Sequence, residues 1–486
     1  MKIYAASLLF ALMATVPSGV MAQTSEQIRE AQILLEQVDR NPGPIDGIWG
    51  ARTQSALENF LAEKDIKFEP PLTEDHLHLL RNARVGPRYA NRPHTANGRP
   101  IRHVTQPSGY TIFPDFSELP QFLSPPPNDI TLERYFQKWL SERTSYGRYQ
   151  VNPGSTFKKI RKETKRSSFL EHQLRFNSIV SYLYFENDTL IYDAKSPDHR
   201  FDRLIIDNNT DFRSQSVGKS VVSYLLGHAI CEGYIQSKKQ TLADWPIMED
   251  TLYENQPLLN LLNMRARDQH VVTEDDGLLE TGRWFNNYPI EEFANNELKG
   301  SSMNRVDAYN YNGLLTNIIF NYIIFKTGSD WQDFFDRIFQ NRVKIENPIF
   351  FQRTRNPFNL SGDARYMFYA TRYDYLRIAI AMLNDWRERN CVGEYLRSIY
   401  KSRQSMNHRF NDPNRMTDVA KGYGGQFLFD FDGMRSRVIF GMNGNNGQNM
   451  VIDMENGRIV VTNSIHTNFD WRNLVYDVIR NGDLRR

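Results

Sequence analysis

A serine three residues ahead of a lysine, where an apolar helix begins, is a pairing able to carry out acyl transfer, and Ser216-Val217-Gly218-Lys219 has that form. Three residues apart on a helix, the two side chains share a face and come within hydrogen-bonding reach. The positive end of the helix dipole and burial both disfavour an ammonium there, which leaves the amine available to take the serine proton. With Tyr311 ninety-five residues after Ser216, Tyr309-Asn310-Tyr311-Asn312-Gly313 opens a second apolar run, and a phenol at that point could pass a proton to a leaving group. Each residue also has a plainer reading. Ser216 could be an N-cap with a surface lysine after it, and Tyr311 a core aromatic at a helix start.

The elements that must position these groups are visible in the spacing of apolar residues. Val217, Val221, Val222, Leu225, Leu226, Ala229 and Ile230 recur at helical spacing, so Ser216 sits at the mouth of a buried helix ending at Gly233. A chain of this length should contain roughly one or two S-x-x-K sequences by chance, and Ser155-Thr156-Phe157-Lys158 is such a decoy. It follows Asn152-Pro153-Gly154 and enters the basic stretch 158–166 with no apolar helix behind it, which reads as a solvated loop or face. Residues 176–192 alternate around Asn187-Asp188 as a hairpin does. Val438-Ile439-Phe440-Gly441-Met442 and Met450-Val451-Ile452-Asp453 read as strands, and Glu455-Asn456-Gly457 as a hairpin turn before Ile459-Val460-Val461. Lys326-Thr327-Gly328 closes a helix, with Gly328 in the place of a C-cap glycine.

The stretch from Asp211-Phe212-Arg213-Ser214-Gln215 through Ser216-Val217-Gly218-Lys219-Ser220, with a helix closing in Cys231-Glu232-Gly233-Tyr234-Ile235, resembles the active-site region of the β-lactamase-related serine hydrolases. That family includes class C β-lactamases, D-Ala-D-Ala carboxypeptidases, esterases and 6-aminohexanoate-dimer hydrolases. Further stretches match it in order. Leu261-Leu262-Asn263-Met264-Arg265 is similar to its Leu-Leu-x-Met-x-Ser-Gly segment, with Ala266-Arg267 in place of Ser-Gly. The family's second motif, Tyr-x-Asn, precedes a Leu-Leu or Ile-Ile pair by about seven residues; Tyr311 with Ile318-Ile319 fits this spacing and Tyr309 does not. Gly313 stands where Asn is commonest. Asn443-Gly444-Asn445-Asn446-Gly447-Gln448 resembles the Gly-x-x-Gly-Gln of the hydrolase and esterase members.

The resemblance implies an α+β fold of the serine β-lactamase/DD-peptidase type, an antiparallel sheet flanked by helices, with a small all-α domain in front of it. It implies Ser216 as nucleophile, Lys219 and Tyr311 as proton-transfer residues, and the backbone N–H groups of Asn445 and Ser216 as oxyanion hole. The third motif carries no lysine to grip a β-lactam carboxylate, which favours an amidase, peptidase or esterase. The altered second and third motifs also leave open a catalytically inactive wall-binding protein on the same fold.

Residues 1–22, with Lys2, an apolar run and Val20-Met21-Ala22, read as a secretory signal peptide; there is no lipobox cysteine, and no other apolar run is long enough to span a membrane. A soluble periplasmic or otherwise exported protein is the expectation. Residues 23–82 resemble the peptidoglycan-binding-like three-helix module in Gly43, Asp46-Gly47, Gly50 and Thr53, which makes peptidoglycan a candidate partner, although residues of these types usually build the turn. Residues 83–128 are a proline-rich linker, and 129–486 form the hydrolase domain, long enough for a substantial core. A net charge of +2 gives no nucleic-acid footprint. The ten histidines are scattered and His76-x-His78 has no partners at zinc spacing, so neither metal nor cofactor is expected. Cys231 and Cys391 could pair, but each lies in or beside an apolar helical segment, and free buried thiols are the favoured reading.

Overall fold

The computed structural model describes residues 24–38, 40–64, 66–81, 127–145, 148–202, 204–272, 289–353, 363–406 and 415–484. The leader expected at 1–22 and nearly all of the proline-rich stretch fall outside the described residues. No helix among those described is long and apolar enough to cross a membrane. The chain divides into two compact units between residues 85 and 86.

In the first unit the helices Ser25–Gln37, Ala51–Ala62 and Glu74–Arg81 enclose Ala31, Leu35, Leu57, Leu61 and Leu77. The turn between the first two is built by the residues singled out in the sequence. Gly43 and Gly47 take φ of +84° and +72°, open only to residues that tolerate the left-handed region. The buried Gln32 amide accepts from the Gly47 N–H and donates to Asp46, the Ile48 carbonyl and Thr53. Asp46 also accepts from the Ile48 N–H, so its carboxylate is engaged within the turn. Trp49 leans on Phe68 with ring centroids 5.7 Å apart.

The second unit contains strands β1 (Arg148–Val151), β2 (Arg161–Lys162), β3 (Ile179–Glu186), β4 (Thr189–Lys195), β5 (Asp211–Arg213), β6 (Ile349–Arg353), β7 (Ala364–Thr371), β8 (Gln404–Ser405), β9 (Ala420–Gly424), β10 (Phe427–Phe431), β11 (Ile439–Gly444), β12 (Gln448–Asp453) and β13 (Arg458–Ser464). Among the described residues they form one sheet in the order β2-β4-β3-β13-β12-β11-β10-β9-β8 and a smaller one in the order β1-β6-β7-β5. Only the β2/β4 pair is parallel. The expected hairpin closes through Asn187 and Asp188, both at positive φ (50° and 56°), the geometry of a two-residue turn that matches strand twist. Its first strand pairs with β13, Tyr184 facing Val460, so the middle of the large sheet joins an early strand to the last one. The helices Val217–Cys231, Leu314–Thr327 and Arg372–Glu388 pack against these strands, the α+β arrangement expected.

One expectation is corrected. Cys231 and Cys391 are joined in a disulfide that ties the end of helix Val217–Cys231 to the start of helix Cys391–Lys401. Burial on apolar helices is as compatible with a bridged cystine as with two thiols; what decides is that two helices 160 residues apart in sequence bring the α-carbons to 5.8 Å, within bridging range.

Candidate active site

β5 delivers the chain into Ser214-Gln215-Ser216. Ser214 is fully buried and doubly tied to β7: its N–H donates to the Phe368 carbonyl (2.8 Å) and its Oγ accepts from the Phe368 N–H (2.9 Å). Gln215 then takes φ of +49°, a costly conformation for a side-chain-bearing residue, and turns the chain so that Ser216 becomes the N-cap of helix Val217–Cys231. The Ser216 side chain makes no capping bond to that helix. Lys219 is only 2% exposed. The plainer reading of the pair therefore fails on both counts, since the serine hydroxyl is not spent on capping and the lysine is not on the surface. Lys219 Nζ lies 3.0 Å from Ser216 Oγ and 3.1 Å from the Tyr366 hydroxyl.

Tyr311 completes the cluster. Lys219 Nζ lies 4.5 Å from its ring centroid, and Ser216 and Lys219 are among the groups that act on its phenol. Burial pushes the phenol up; the nearby Lys219 charge pulls it back without cancelling the rise, so it stays protonated at neutral pH. The Tyr309 ring lies 5.2 Å from that of Tyr423 and 6.4 Å from that of Tyr311.

What holds Tyr311 is a carboxylate that the sequence did not mark. Asp268, fully buried, accepts from the side-chain amides of both neighbours of Tyr311, Asn310 (2.9 Å) and Asn312 (3.1 Å), and from the Tyr253 hydroxyl (2.9 Å). Just before it, Arg267 occupies φ of +62° where the resembling pattern has Gly, and its guanidinium holds the carbonyls of Asn304 and Arg305. Asn312 also caps the following helix by accepting from the Leu315 N–H. From that helix, Asn317 and Asn321, one turn apart, bond to the backbone of Tyr366 and Ala364 on β7. The tyrosine loop, the helix and β7 are thus a single hydrogen-bonded frame around Lys219.

The segment proposed as third element ends β11, and the strand expected there is present as Ile439–Gly444. A Cβ at Gly444 would stand 2.7 Å from the Ser214 carbonyl oxygen and 2.9 Å from Gln215 Cβ, so only glycine lets this strand end approach the segment leading to Ser216. Asn445 follows directly, at the start of a turn in which Asn446 takes φ of +64°. Asn443 and Asn449 bond to each other across the β11/β12 pair (3.0 Å). The decoys lie elsewhere in character: Ser155 is exposed, and Lys326 pairs with Asp244 (2.7 Å) while Gly328, φ +53°, ends its helix. Among the described residues, no group of three or more His, Cys, Asp or Glu is arranged to hold a metal ion.

With this geometry the chain can be set beside known proteins. No protein-family model matches the sequence, and neither does any curated protein. Solved structures do match. A Bacillus anthracis protein provisionally described as a 6-aminohexanoate-dimer hydrolase aligns over 71% of this chain and 92% of its own, at 13% identity and a TM-score of 0.52. The second unit has the β-lactamase/DD-peptidase fold. Two others are a Bacteroides dorei protein provisionally described as a beta-lactamase (12% identity, 65% and 96% covered, TM-score 0.47) and a class C beta-lactamase from Rhodobacter sphaeroides (14%, 64% and 96%, 0.41). At such identities the likeness speaks for the fold, and the chemistry rests on the cluster described above.

Proposed function

We propose that the protein is a serine hydrolase that cleaves an ester or amide through an acyl-enzyme on Ser216. The observation that carries this reading is the meeting of a serine hydroxyl that is not spent on capping, a buried lysine amine 3.0 Å away and a protonated tyrosine whose ring centroid is 4.5 Å from that amine. In the first half-reaction Ser216 Oγ attacks the carbonyl carbon and its proton passes to Lys219. The tetrahedral oxyanion is held by the backbone N–H groups of Ser216 and Asn445. Tyr311 hands a proton to the departing alcohol or amine and is reprotonated from Lys219. In the second half-reaction the same groups take a proton from water, which attacks the acyl-enzyme, and the proton returns to Ser216 as the acid leaves.

The third motif supplies amides and no lysine: Asn443 and Asn449 are engaged with each other, and Gln448 with the Ser464 carbonyl. This supports linear esters, amides or peptides over β-lactams as substrates. The Cys231–Cys391 bridge supports residence in an oxidising compartment, in keeping with export directed by residues 1–22 and a periplasmic location. Residues 23–82 would then keep the hydrolase near peptidoglycan. The reading is tested with a fluorophosphonate probe and a substrate panel of p-nitrophenyl esters, D-amino-acid peptides, β-lactams and linear amides. Covalent labelling at Ser216 with turnover of one class is the expected result; folded protein that neither labels nor turns over any of them would instead indicate an inactive wall-binding protein.

A further inference from the structure

Lys219 has a neighbour that the serine-lysine-tyrosine reading does not use. Tyr366, on β7, is 7% exposed, places its hydroxyl 3.1 Å from Lys219 Nζ and its ring centroid 4.2 Å from the same atom. Tyr311 presents its ring from 4.5 Å, so the amine sits between two aromatic faces with Ser216 Oγ ahead of it. The backbone of Tyr366 is fixed from two directions. Its N–H donates to Asn317 on the helix that follows Tyr311, and its carbonyl oxygen occupies the space that a Cβ at Gly218 would need, in the first turn after Ser216. A residue so tightly registered to both motif segments is placed to act on what lies between them.

We propose that Tyr366 is a positioning residue for Lys219: its hydroxyl accepts an N–H of the amine and its ring stabilises the ammonium formed when Ser216 gives up its proton. This rests on Lys219 being the base of the proposed hydrolase. A neutral amine has two N–H groups and one lone pair. With one N–H held by Tyr366, the lone pair is restrained toward Ser216 Oγ. Both the hydroxyl acceptor and the ring face favour the charged form of the lysine, so they also set the pH at which it becomes a base.

The test follows the rate of Ser216 phosphonylation by a fluorophosphonate probe, read by intact mass on the full chain from acid to alkaline pH. The wild-type rate should rise with pH as Lys219 loses its proton. In Tyr366→Phe the rise should move to lower pH by about half a unit and the plateau fall about fivefold; in Tyr366→Leu, without the ring, the displacement should reach about one unit. A merely structural role would lower the plateau and the melting temperature and leave the position of the rise unchanged, and a Phe variant whose rise superposes on wild type overturns the proposal. Should that variant not fold, 3-fluorotyrosine at position 366 keeps the shape and weakens the oxygen as acceptor, with the same direction expected. Lys219→Ala separates the two readings. If it labels as fast as wild type, the base assignment itself fails and this proposal with it; if it labels slowly while Tyr366→Phe superposes, only the role of Tyr366 fails.

Discussion

Ser216 is distinguished from an ordinary helix-capping serine by what its hydroxyl does not do: it leaves the helix N–H groups alone and faces a buried amine. Ser216→Ala should therefore abolish ester turnover, whereas Ser155→Ala, in an exposed loop with the same S-x-x-K spelling, should leave it intact. Lys219→Ala should lose roughly a hundredfold or more, the scale of removing a positioned proton acceptor. For the tyrosines, Tyr311→Phe should impair turnover strongly with little change in melting temperature, and Tyr309→Phe, whose ring rests on Tyr423, should be mild; the reverse ranking would move the motif by two residues. Asp268 offers a different test. Burial raises its pKa despite three donors, so at neutral pH, above the unfolded value, its charge costs stability, and that contribution is favourable only in acid. In Asp268→Asn the Tyr253 hydroxyl can turn and accept, but one of the two asparagine amides loses its acceptor. Turnover should fall about tenfold while the melting temperature holds within a few degrees, the signature of a clamp on Tyr311 rather than of a fold-bearing ion.

At the scale of elements, the helix Val217–Cys231 gathers most of the constraints. Gly218→Ala would drive a methyl into the Tyr366 carbonyl, a backbone atom that no rotamer change can move aside, so it should reduce both melting temperature and Ser216 labelling. Further along, burial, reinforced by the Arg342 charge, lowers the His228 pKa to about 3 from 6.5. The unfolded chain binds a proton there that the folded one refuses, so stability is complete above about pH 6.5 and is lost as pH falls toward 3; His228→Gln should flatten that decline in melting temperature, which a pH series of thermal melts would show. The helix ends in the disulfide, and closing a loop of 160 residues restricts the unfolded chain by about 5 kcal/mol in the loop-entropy description, so Cys391→Ser should melt well below wild type. Much of this was legible in advance. The helix, the hairpin at Asn187-Asp188 and strands β11 to β13 announce themselves by local periodicity and turn residues. Tyr366 does not, because β7 is buried on both faces and reads as one more apolar strand. Asp268 and the cystine were opaque for a related reason: an isolated Asp or Cys acquires its role from partners dozens or hundreds of residues away, and neither spacing nor composition encodes that meeting.

For the whole molecule, each of the two units has a core of its own. The helix Asp129–Ser145 belongs with the larger one: Asp129 pairs with Arg200 (2.7 Å), Phe136 packs on Phe212 and the Trp139 carbonyl accepts from Tyr369. Asn128 caps that helix through the Thr131 N–H. A chain beginning at Asn128 should accordingly fold and hydrolyse a small soluble ester, while sedimenting less with insoluble peptidoglycan if residues 23–82 are the wall anchor; unchanged sedimentation would remove that role from them. The pairing of β3 with β13 has a further consequence, in the order of events during synthesis. Ser216, Lys219, Tyr311 and Tyr366 are all in the chain before residue 438 is added, yet at that moment β3 lacks its β13 neighbour, and β11 with Gly444 and the Asn445 that follows it do not exist. On the proposed mechanism, a nascent or C-terminally truncated chain would thus carry the full set of proton-handling side chains with only one of the two oxyanion donors, the Ser216 N–H. The last donor the proposed chemistry needs is made only with the final strands, so a chain cut short of residue 438 should fail to react with the fluorophosphonate probe even where its serine, lysine and tyrosine are intact.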